Sequence, residues 1–394
     1  MRILRIIYDW PRPWTGLSPA PYELTKAQVN AGHQIDVFCG VWPFSGGIAR
    51  TKGVTFHPFL RAPLPATVFL TTAPFMFLYY LEWRKNNPVD IIHAHGQFGI
   101  WLYFYRSLLK RFFKKSKELK TPMVVHFHIT AVGRTAQFKK EEKQVKFYSK
   151  YFEWPLHEWS DKLAASCGDA FIFVSSAVMT EAIEHYGIDK SKCFVVETGV
   201  NTELFIPVSS EEREKTRRDM SFDRDDKVIL NLGMQTERKN VHLLIEALPF
   251  LPPHYKLILV GPCSSEYAIR LETLITQFNV RNRVIRAAAT PYPQVPIAYQ
   301  MADVFVLPSS FEGMPKVVFE ALSCEVPVLG HGFKAREEIS GLVYLPSLEP
   351  KIIADEIKRI VETAVYVDRP KVINYYSWGV KAREVEEVYK RVLV

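Results

Sequence analysis

A chain of 394 residues is too long for a single hydrophobic core of ordinary size, so its length implies two domains. With 48% apolar and 23% charged residues the composition is that of a folded globular protein, which excludes a disordered chain. A formal charge of +8 is compatible with nucleic acid, an anionic membrane or an anionic substrate as partner. The five cysteines, Cys39, Cys167, Cys193, Cys263 and Cys324, lie far apart with no Cys-x-x-Cys or metal spacing. They read as free thiols in a reducing compartment, which places the chain in the cytoplasm.

The chain opens with a strand over residues 3–8 rather than a signal peptide, because the apolar run is short and Asp9 and Pro11 follow it. Gly16 stands in a Pro/Trp-rich loop. A helix is expected over 21–31, stopped by Gly32. Strands are expected at 34–39, 89–93, 123–127 and 170–174, and their alternation with helices predicts a doubly wound parallel sheet. The apolar stretch 67–81 is short for a span of ~20 residues and contains Pro74, so it is not read as transmembrane.

Residues 101–120 interleave aromatics and leucines with lysine and arginine. That pattern fits an interfacial helix on an anionic membrane, and equally a helix packed on the sheet with a solvated basic face. Two strand ends in this half carry histidines: His93 and His95 in Asp90-Ile91-Ile92-His93-Ala94-His95-Gly96, and His126 and His128 in Val124-Val125-His126-Phe127-His128. No carboxylate or third ligand stands at matching spacing, so no metal is expected there. His126 reads as a core histidine.

The second half repeats the architecture, with strands expected at 228–232, 256–260, 284–286, 304–307 and 326–329, and a domain boundary near 195–207. Its most informative stretch runs from Ser309 to Leu322: Ser-Ser-Phe-Glu-Gly-Met-Pro-Lys-Val-Val-Phe-Glu-Ala-Leu. A buried strand, a glycine turn and a helix expected to open on Pro315 aim free N–H groups and the positive end of a helix dipole at whatever lies over the loop, which suits phosphate. Glu312 and Glu320 flank that loop. Carboxylates repel phosphate, so they are expected to accept from hydroxyls. A diphosphate between two sugars, as in a nucleotide sugar, satisfies both demands.

The spacing Glu312-Gly313-Met314-Pro315…Glu320-Ala321 resembles the signature of the retaining GT-B glycosyltransferases of family 4, the group 1 glycosyl transferases. The resemblance extends to Thr198-Gly199-Val200-Asn201…Phe205-Ile206-Pro207, which is similar to the family's linker, and to a last helix from Ser377-Trp378 onward. It implies two Rossmann-like doubly wound domains facing across a cleft: an acceptor-binding domain over 1–200, a nucleotide-sugar domain over 201–375, and a helix over 376–394 returning to the first domain. It implies a metal-independent enzyme without a cofactor, moving a sugar from a UDP- or GDP-linked donor to a lipid-linked or glycan acceptor. Catalytic roles fall to His128, Glu312 and Lys239, with Glu320 on the ribose. Donor contacts fall to Gly16, Arg238 and the backbone of Gly313, Met314, Pro315, Lys316 and Val317, and the acceptor side to His95.

Some positions depart from the family pattern. Within Asn231-Leu232-Gly233-Met234-Gln235-Thr236-Glu237-Arg238-Lys239-Asn240, Lys239 matches the lysine that neutralises the diphosphate, but Met234 stands where the family has its partner arginine. A charged hydrogen bond to phosphate is worth roughly 1.5–3 kcal/mol, so Arg238 is expected to substitute. At Gly16 the usual Gly-Gly is Thr15-Gly16, and a plain turn glycine explains it as well. Val260-Gly261-Pro262 and Ala287-Ala288-Ala289-Thr290 match the loops lining the base pocket. A partner subunit that has lost catalysis, or a sugar-nucleotide epimerase, would share this architecture. A nicotinamide dehydrogenase is disfavoured by the absence of Gly-x-Gly-x-x-Gly after the first strand, and nucleic acid has only charge in its favour. A peripheral position on the inner face of the cell membrane is expected.

Overall fold

Short apolar runs build two all-parallel sheets. The structure is a computed structural model and describes residues 1–11, 19–41, 47–60, 72–140 and 147–393. The chain divides into two compact units, Met1–Glu197 with Trp378–Val394, and Thr198–Ser377.

The first unit contains β1 (Arg2–Asp9), β2 (Gln34–Val41), β3 (Val54–Leu60), β4 (Ile91–His95), β5 (Met123–Phe127), β6 (Ala170–Phe173) and β7 (Cys193–Val195), in the order β3-β2-β1-β4-β5-β6-β7. The second contains β8 (Lys227–Leu232), β9 (Tyr255–Val260), β10 (Val284–Ala287), β11 (Val304–Leu307), β12 (Val328–Gly330) and β13 (Leu342–Tyr344), in the order β10-β9-β8-β11-β12-β13. Each sheet thus starts in its middle, runs to one edge and then to the other. In such sheets ligands sit beyond the C-terminal strand ends, where the direction reverses.

Parallel strands must be covered on both faces, and β4, β5, β6 and β11 are buried along their whole length. In the first unit one face is packed by the helices Thr72–Asn86, Ile100–Phe112, Trp154–Cys167 and Ser176–Tyr186. The other carries Pro19–Asn30 and the C-terminal helix Trp378–Leu393, whose Ala382, Val385, Val388 and Tyr389 join Ile3, Ile7 and Ile35 in one core. The Tyr389 hydroxyl shares a hydrogen bond with His93 Nδ1 at 2.5 Å and lies 3.5 Å from Gln28 Nε2.

Several element bounds move. β4 begins and ends two residues later than expected, because Asp90 is held at the margin by Arg2 while His95 pairs in register with His126 on β5. β12 starts beyond Pro327, which has no N–H to give the ladder. β3, β7 and β13 were not expected. β3 is an edge strand carrying Pro58, where a missing donor is tolerated, and the other two are three residues long. Among the described residues no helix is long and apolar enough to cross a membrane.

Tyr389→Phe removes the hydroxyl that partners His93 and leaves both nitrogens of a buried ring unpaired, since Nε2 already has no protein partner. The expected loss is about 1–3 kcal/mol in urea unfolding at neutral pH.

Candidate functional site

In the second unit β8 and β9 end in two glycines. Gly233, at φ +133°, donates to the Val260 carbonyl at 2.9 Å, and Gly261, at φ +131°, donates to the Ala287 carbonyl at 3.0 Å. Their backbones touch: a Cβ on Gly261 would stand 2.2 Å from the Gly233 carbonyl oxygen. A Cβ on Gly233 would stand 2.5 Å from the Lys239 ammonium nitrogen, so Lys239 rests directly on this glycine floor.

Lys239 is delivered by the 3-10 turn Glu237–Lys239, which Asn240 closes at φ +49°. Asparagine tolerates that left-handed conformation and uses its side chain as well. Its amide donates to the Pro308 carbonyl and to Ser310 Oγ, both at 2.9 Å, and the Ser310 N–H donates to the Arg238 carbonyl at 2.8 Å. The lysine turn is thereby tied to the loop that leaves β11.

That loop holds Glu312. Its N–H donates to Gly332 at 2.7 Å, and its carboxylate accepts from the Ser309 hydroxyl at 3.0 Å and pairs with the Arg238 guanidinium at 2.7 Å. Arg238 also donates to the Phe311 carbonyl at 2.5 Å. Pro315 does not open the following helix: at ψ 111° it precedes Lys316–Ser323, and its carbonyl accepts from Val318 at 3.1 Å. Met314 and Val317 bury their side chains, so their contribution to the loop is backbone. Among the described residues the N–H groups of Gly313 and Met314 donate to no protein acceptor. Those of Lys316 and Val317 are first-turn donors with no intrahelical partner.

Glu320, 3% exposed, accepts the Tyr299 hydroxyl at 2.9 Å. Burial raises its carboxyl above the usual range, against the pull of Lys316, Tyr299 and Lys239. Burial lowers the Lys239 ammonium, opposed by Glu312 and Glu320 and assisted by Arg238 and Lys316. It lowers Lys316 too, opposed by Glu320. Met234, at the position without its arginine, is 61% exposed. Chemically this is a place for an anion over a glycine floor, beside two carboxylates able to accept from hydroxyls. Tyr299, in the short helix Pro296–Met301, carries no local sequence signal; only its contact with Glu320 shows its part.

In the first unit His95 and His128 meet at the ends of β4 and β5, with His95 Nδ1 3.1 Å from His128 Nε2. Behind them the rings of His93, His95, His126 and His128 form one stack, with adjacent centroids 4.3 to 5.5 Å apart. A third imidazole therefore does accompany the His-x-His pair: nitrogens of His93, His95 and His126 lie within 4.8 Å of one another. Spacing along the chain conceals it, because His126 arrives by strand register. The rings lie face to face, so their in-plane lone pairs run alongside one another rather than converge. Arg5, buried and in register with His93, adds a positive charge that repels a dication. We assign no metal to the stack. Gly16 lies outside the described residues.

Burial holds all four imidazoles neutral, pushing His93, His95 and His126 well below their usual range and His128 down to about 4, with Arg5 reinforcing the effect on the first three. These are depressed folded-state values, so below the unfolded pKa of about 6.5 the unfolded chain binds protons that the folded chain refuses. Stability is whole above that pH and falls as pH drops, by up to about 1.4 kcal/mol per pH unit for each histidine. Urea unfolding between about pH 7 and pH 5 should show this fall. His126→Leu should reduce the slope by the share of one proton.

Two family models match the chain in succession. Glycosyltransferase Family 4 matches residues 15–204, and Glycosyl transferases group 1 matches residues 212–374. The uncharacterised glycosyltransferase MJ1607 of Methanocaldococcus jannaschii is 26% identical over 99% of this chain and 98% of its own. The D-inositol 3-phosphate glycosyltransferase of Xylanimonas cellulosilytica is 28% identical over 80% of this chain and 74% of its own. An Escherichia coli UDP-Gal:alpha-D-GlcNAc-diphosphoundecaprenol alpha-1,3-galactosyltransferase is 24% identical over 78% of this chain and 74% of its own. Among solved structures, Anabaena Alr3699/HepE in complex with UDP and glucose superposes with a TM-score of 0.72 at 17% identity, covering 99% of this chain and 100% of that one. Sucrose-phosphate synthase from Thermosynechococcus elongatus superposes with a TM-score of 0.74 at 18% identity, covering 99% of both chains. With each unit matched by its own family model and the M. jannaschii relative aligned over almost its whole length, the chain belongs to the group 1 glycosyltransferases and carries their GT-B fold.

Proposed function

We propose that this glycosyltransferase moves a sugar from a uridine diphosphate sugar to an acceptor hydroxyl with retention of anomeric configuration and without a metal. The observation that carries the donor reading is the combination of a lysine on a glycine floor, free loop N–H groups and two flanking carboxylates in one loop system. Lys239 and the N–H groups of Gly313, Met314, Lys316 and Val317 take the diphosphate, Glu312 a sugar hydroxyl and Glu320 the ribose. The neighbour solved with UDP and glucose favours uridine. In the first unit we assign His128 to a hydroxyl of the donor sugar, and His95, 2% exposed with its Nδ1 on His128, to the acceptor side only through the orientation it gives that ring.

As the sugar leaves, negative charge grows on the departing diphosphate. Ammonium and N–H donors fixed in place beforehand stabilise that charge without reorganising, so acceleration comes from positioning and electrostatics, with no side chain required as nucleophile. The test is a thermal-shift series with UDP, GDP, ADP and their sugar conjugates on wild type and Glu320→Ala, followed by NMR of the product. A nucleotide at a hundred times its Kd should add about 2.7 kcal/mol, and the mutant should lose most of it. An axial product from an axial donor supports retention. Binding without turnover would point to a partner subunit, and conversion of the donor without acceptor to an epimerase.

For the acceptor we propose a lipid-linked glycan met at the inner face of the cell membrane. The galactosyltransferase relative, by its printed name, acts on a diphosphoundecaprenol-linked sugar. The first unit's helix Ile100–Phe112 is half packed and half free. It buries Trp101, Leu102, Tyr103 and Arg106, the last tied to Asp169 at 3.0 Å. Phe104, Leu108, Phe112 and Phe113 remain exposed beside Arg111, Lys114 and Lys115, and the neighbouring helix Thr72–Asn86 exposes Phe75 and Leu78. Aromatic and leucine side chains beside lysine and arginine suit an anionic interface. The protein should co-sediment with phosphatidylglycerol vesicles at low salt, and Phe112→Ser/Phe113→Ser should release it. No wild-type sedimentation would refute the membrane reading.

A further inference from the structure

Met234 offers no charge to a phosphate, but the side chains around the glycine floor do. Three cations and two carboxylates meet there: Arg238, Lys239 and Lys316 against Glu312 and Glu320. Arg238 is already committed, to Glu312 at 2.7 Å and to the Phe311 carbonyl. Releasing it would leave Glu312 without its ion pair and free to turn. Glu320 is occupied by the Tyr299 hydroxyl. Among the described residues no carboxylate lies within 4.0 Å of either remaining ammonium, on Lys239 or on Lys316. The two lysines are close enough for Lys316 to depress Lys239. The Lys316 ammonium lies over the ring of Tyr292, 5.7 Å from its centroid, with Glu320 acting on it at longer range.

Lys316 is also in the wrong place for a structural lysine. It is the first residue of the helix Lys316–Ser323, at the positive end of the helix dipole, where a cation is disfavoured. Helical side chains lean toward the N-terminus, so its stem can reach back toward the loop of Gly313 and Met314, whose N–H groups have no protein acceptor among the described residues. A cation at this helix end, opposed only at longer range by Glu320 and with no carboxylate within 4.0 Å among the described residues, breaks a local rule, which marks a functional position.

We infer that Lys316 supplies the second cation for the diphosphate of the bound nucleotide, in place of the arginine missing at Met234, and that Arg238 is a positioning residue that holds Glu312. This rests on the donor reading above. Lys239 from the strand end and Lys316 from the helix start then address the same phosphates, and the loop N–H groups lie between them.

The experiment is calorimetric titration of the full chain with UDP, UMP and uridine, for wild type, Lys316→Met, Lys316→Gln, Lys316→Arg and Arg238→Met. Lys316→Met keeps the aliphatic stem and removes the charge. It should weaken UDP about tenfold or more, UMP less, and leave uridine unchanged, and Lys316→Gln should agree with it. Lys316→Arg should recover most of the UDP affinity. Arg238→Met should bind UDP nearly as wild type and lose its effect in kcat, through a loosened Glu312. Equal UDP affinity in wild type and both neutral Lys316 variants overturns the inference, as does a loss that appears in Arg238→Met instead. If wild type binds none of UDP, GDP or ADP, the donor reading itself fails, an outcome distinct from a wild type that binds while its variants do not differ.

Discussion

The contact between Gly233 and Gly261 is the constraint on which the second unit's site depends. Two parallel strands end side by side, and the turn out of β9 brings an α-carbon against the carbonyl of the turn out of β8. No side chain fits between them, and both residues adopt φ values that L side chains rarely reach. The result is a flat, polar piece of backbone at the sheet's C-terminal edge. Lys239 is the side chain that lies on it, and the Asn240 hydrogen bonds fix the lysine's turn to the loop of the glutamates. Removing the floor's flatness would displace the lysine, and with it the spacing between ammonium and loop N–H groups. The rest of the constellation is arranged around that surface.

The first unit solves a different problem. Four imidazoles stacked behind the strand ends are polar groups in a dry place, and several of their nitrogens have no protein partner. Keeping them neutral is the least costly state, because a buried imidazolium beside Arg5 would meet both desolvation and repulsion. The C-terminal helix takes part in this arrangement. Tyr389 reaches from the end of the chain to His93 at the base of the stack, so the position of the last helix and the orientation of the innermost ring are linked. At the strand ends, His95 and His128 orient each other, and whichever tautomer one adopts sets which face the other offers as donor or acceptor.

Much of this was legible in the sequence where the chemistry is contiguous. The strands Met123–Phe127 and Val304–Leu307 stand where their apolar runs place them, because an unbroken buried run leaves few alternatives. Glu312 and Lys239 could be singled out from one short motif each. What stayed hidden was made by register and by folding back. β3 contains a proline that argues against a strand until its edge position is known. His126 reads as a core histidine and is one, but its stacking on His93 and His95 shows only once β4 and β5 are aligned. Arg238, adjacent to Lys239 in sequence, was the natural substitute for a missing arginine. Its side chain pairs with Glu312, 74 positions further along the chain and invisible as a partner beforehand. Lys316 stands in its motif for a backbone N–H, and nothing in the sequence indicates that its ammonium lies over the Tyr292 ring.

An arginine on the strand end and a lysine on the helix start are different solutions to the same electrostatic need. A guanidinium is planar and pre-shaped, and it grips two oxygens in fixed geometry. An ammonium on four methylenes is a compact charge that can swing. Lys316 faces an aromatic ring, with Glu320 as its counter-charge at longer range, and its stem is long enough to carry the charge from that ring to the loop. Its cost is local, since it sits against the positive end of its own helix and near a second lysine. That cost is highest with the loop empty and reverses sign when a dianion arrives, because the dipole, the two ammoniums and the free N–H groups then all act on the same charge. Placing like charges together weakens the empty site and strengthens the filled one. The gain grows with the negative charge on the ligand, which favours the departing diphosphate over the intact donor.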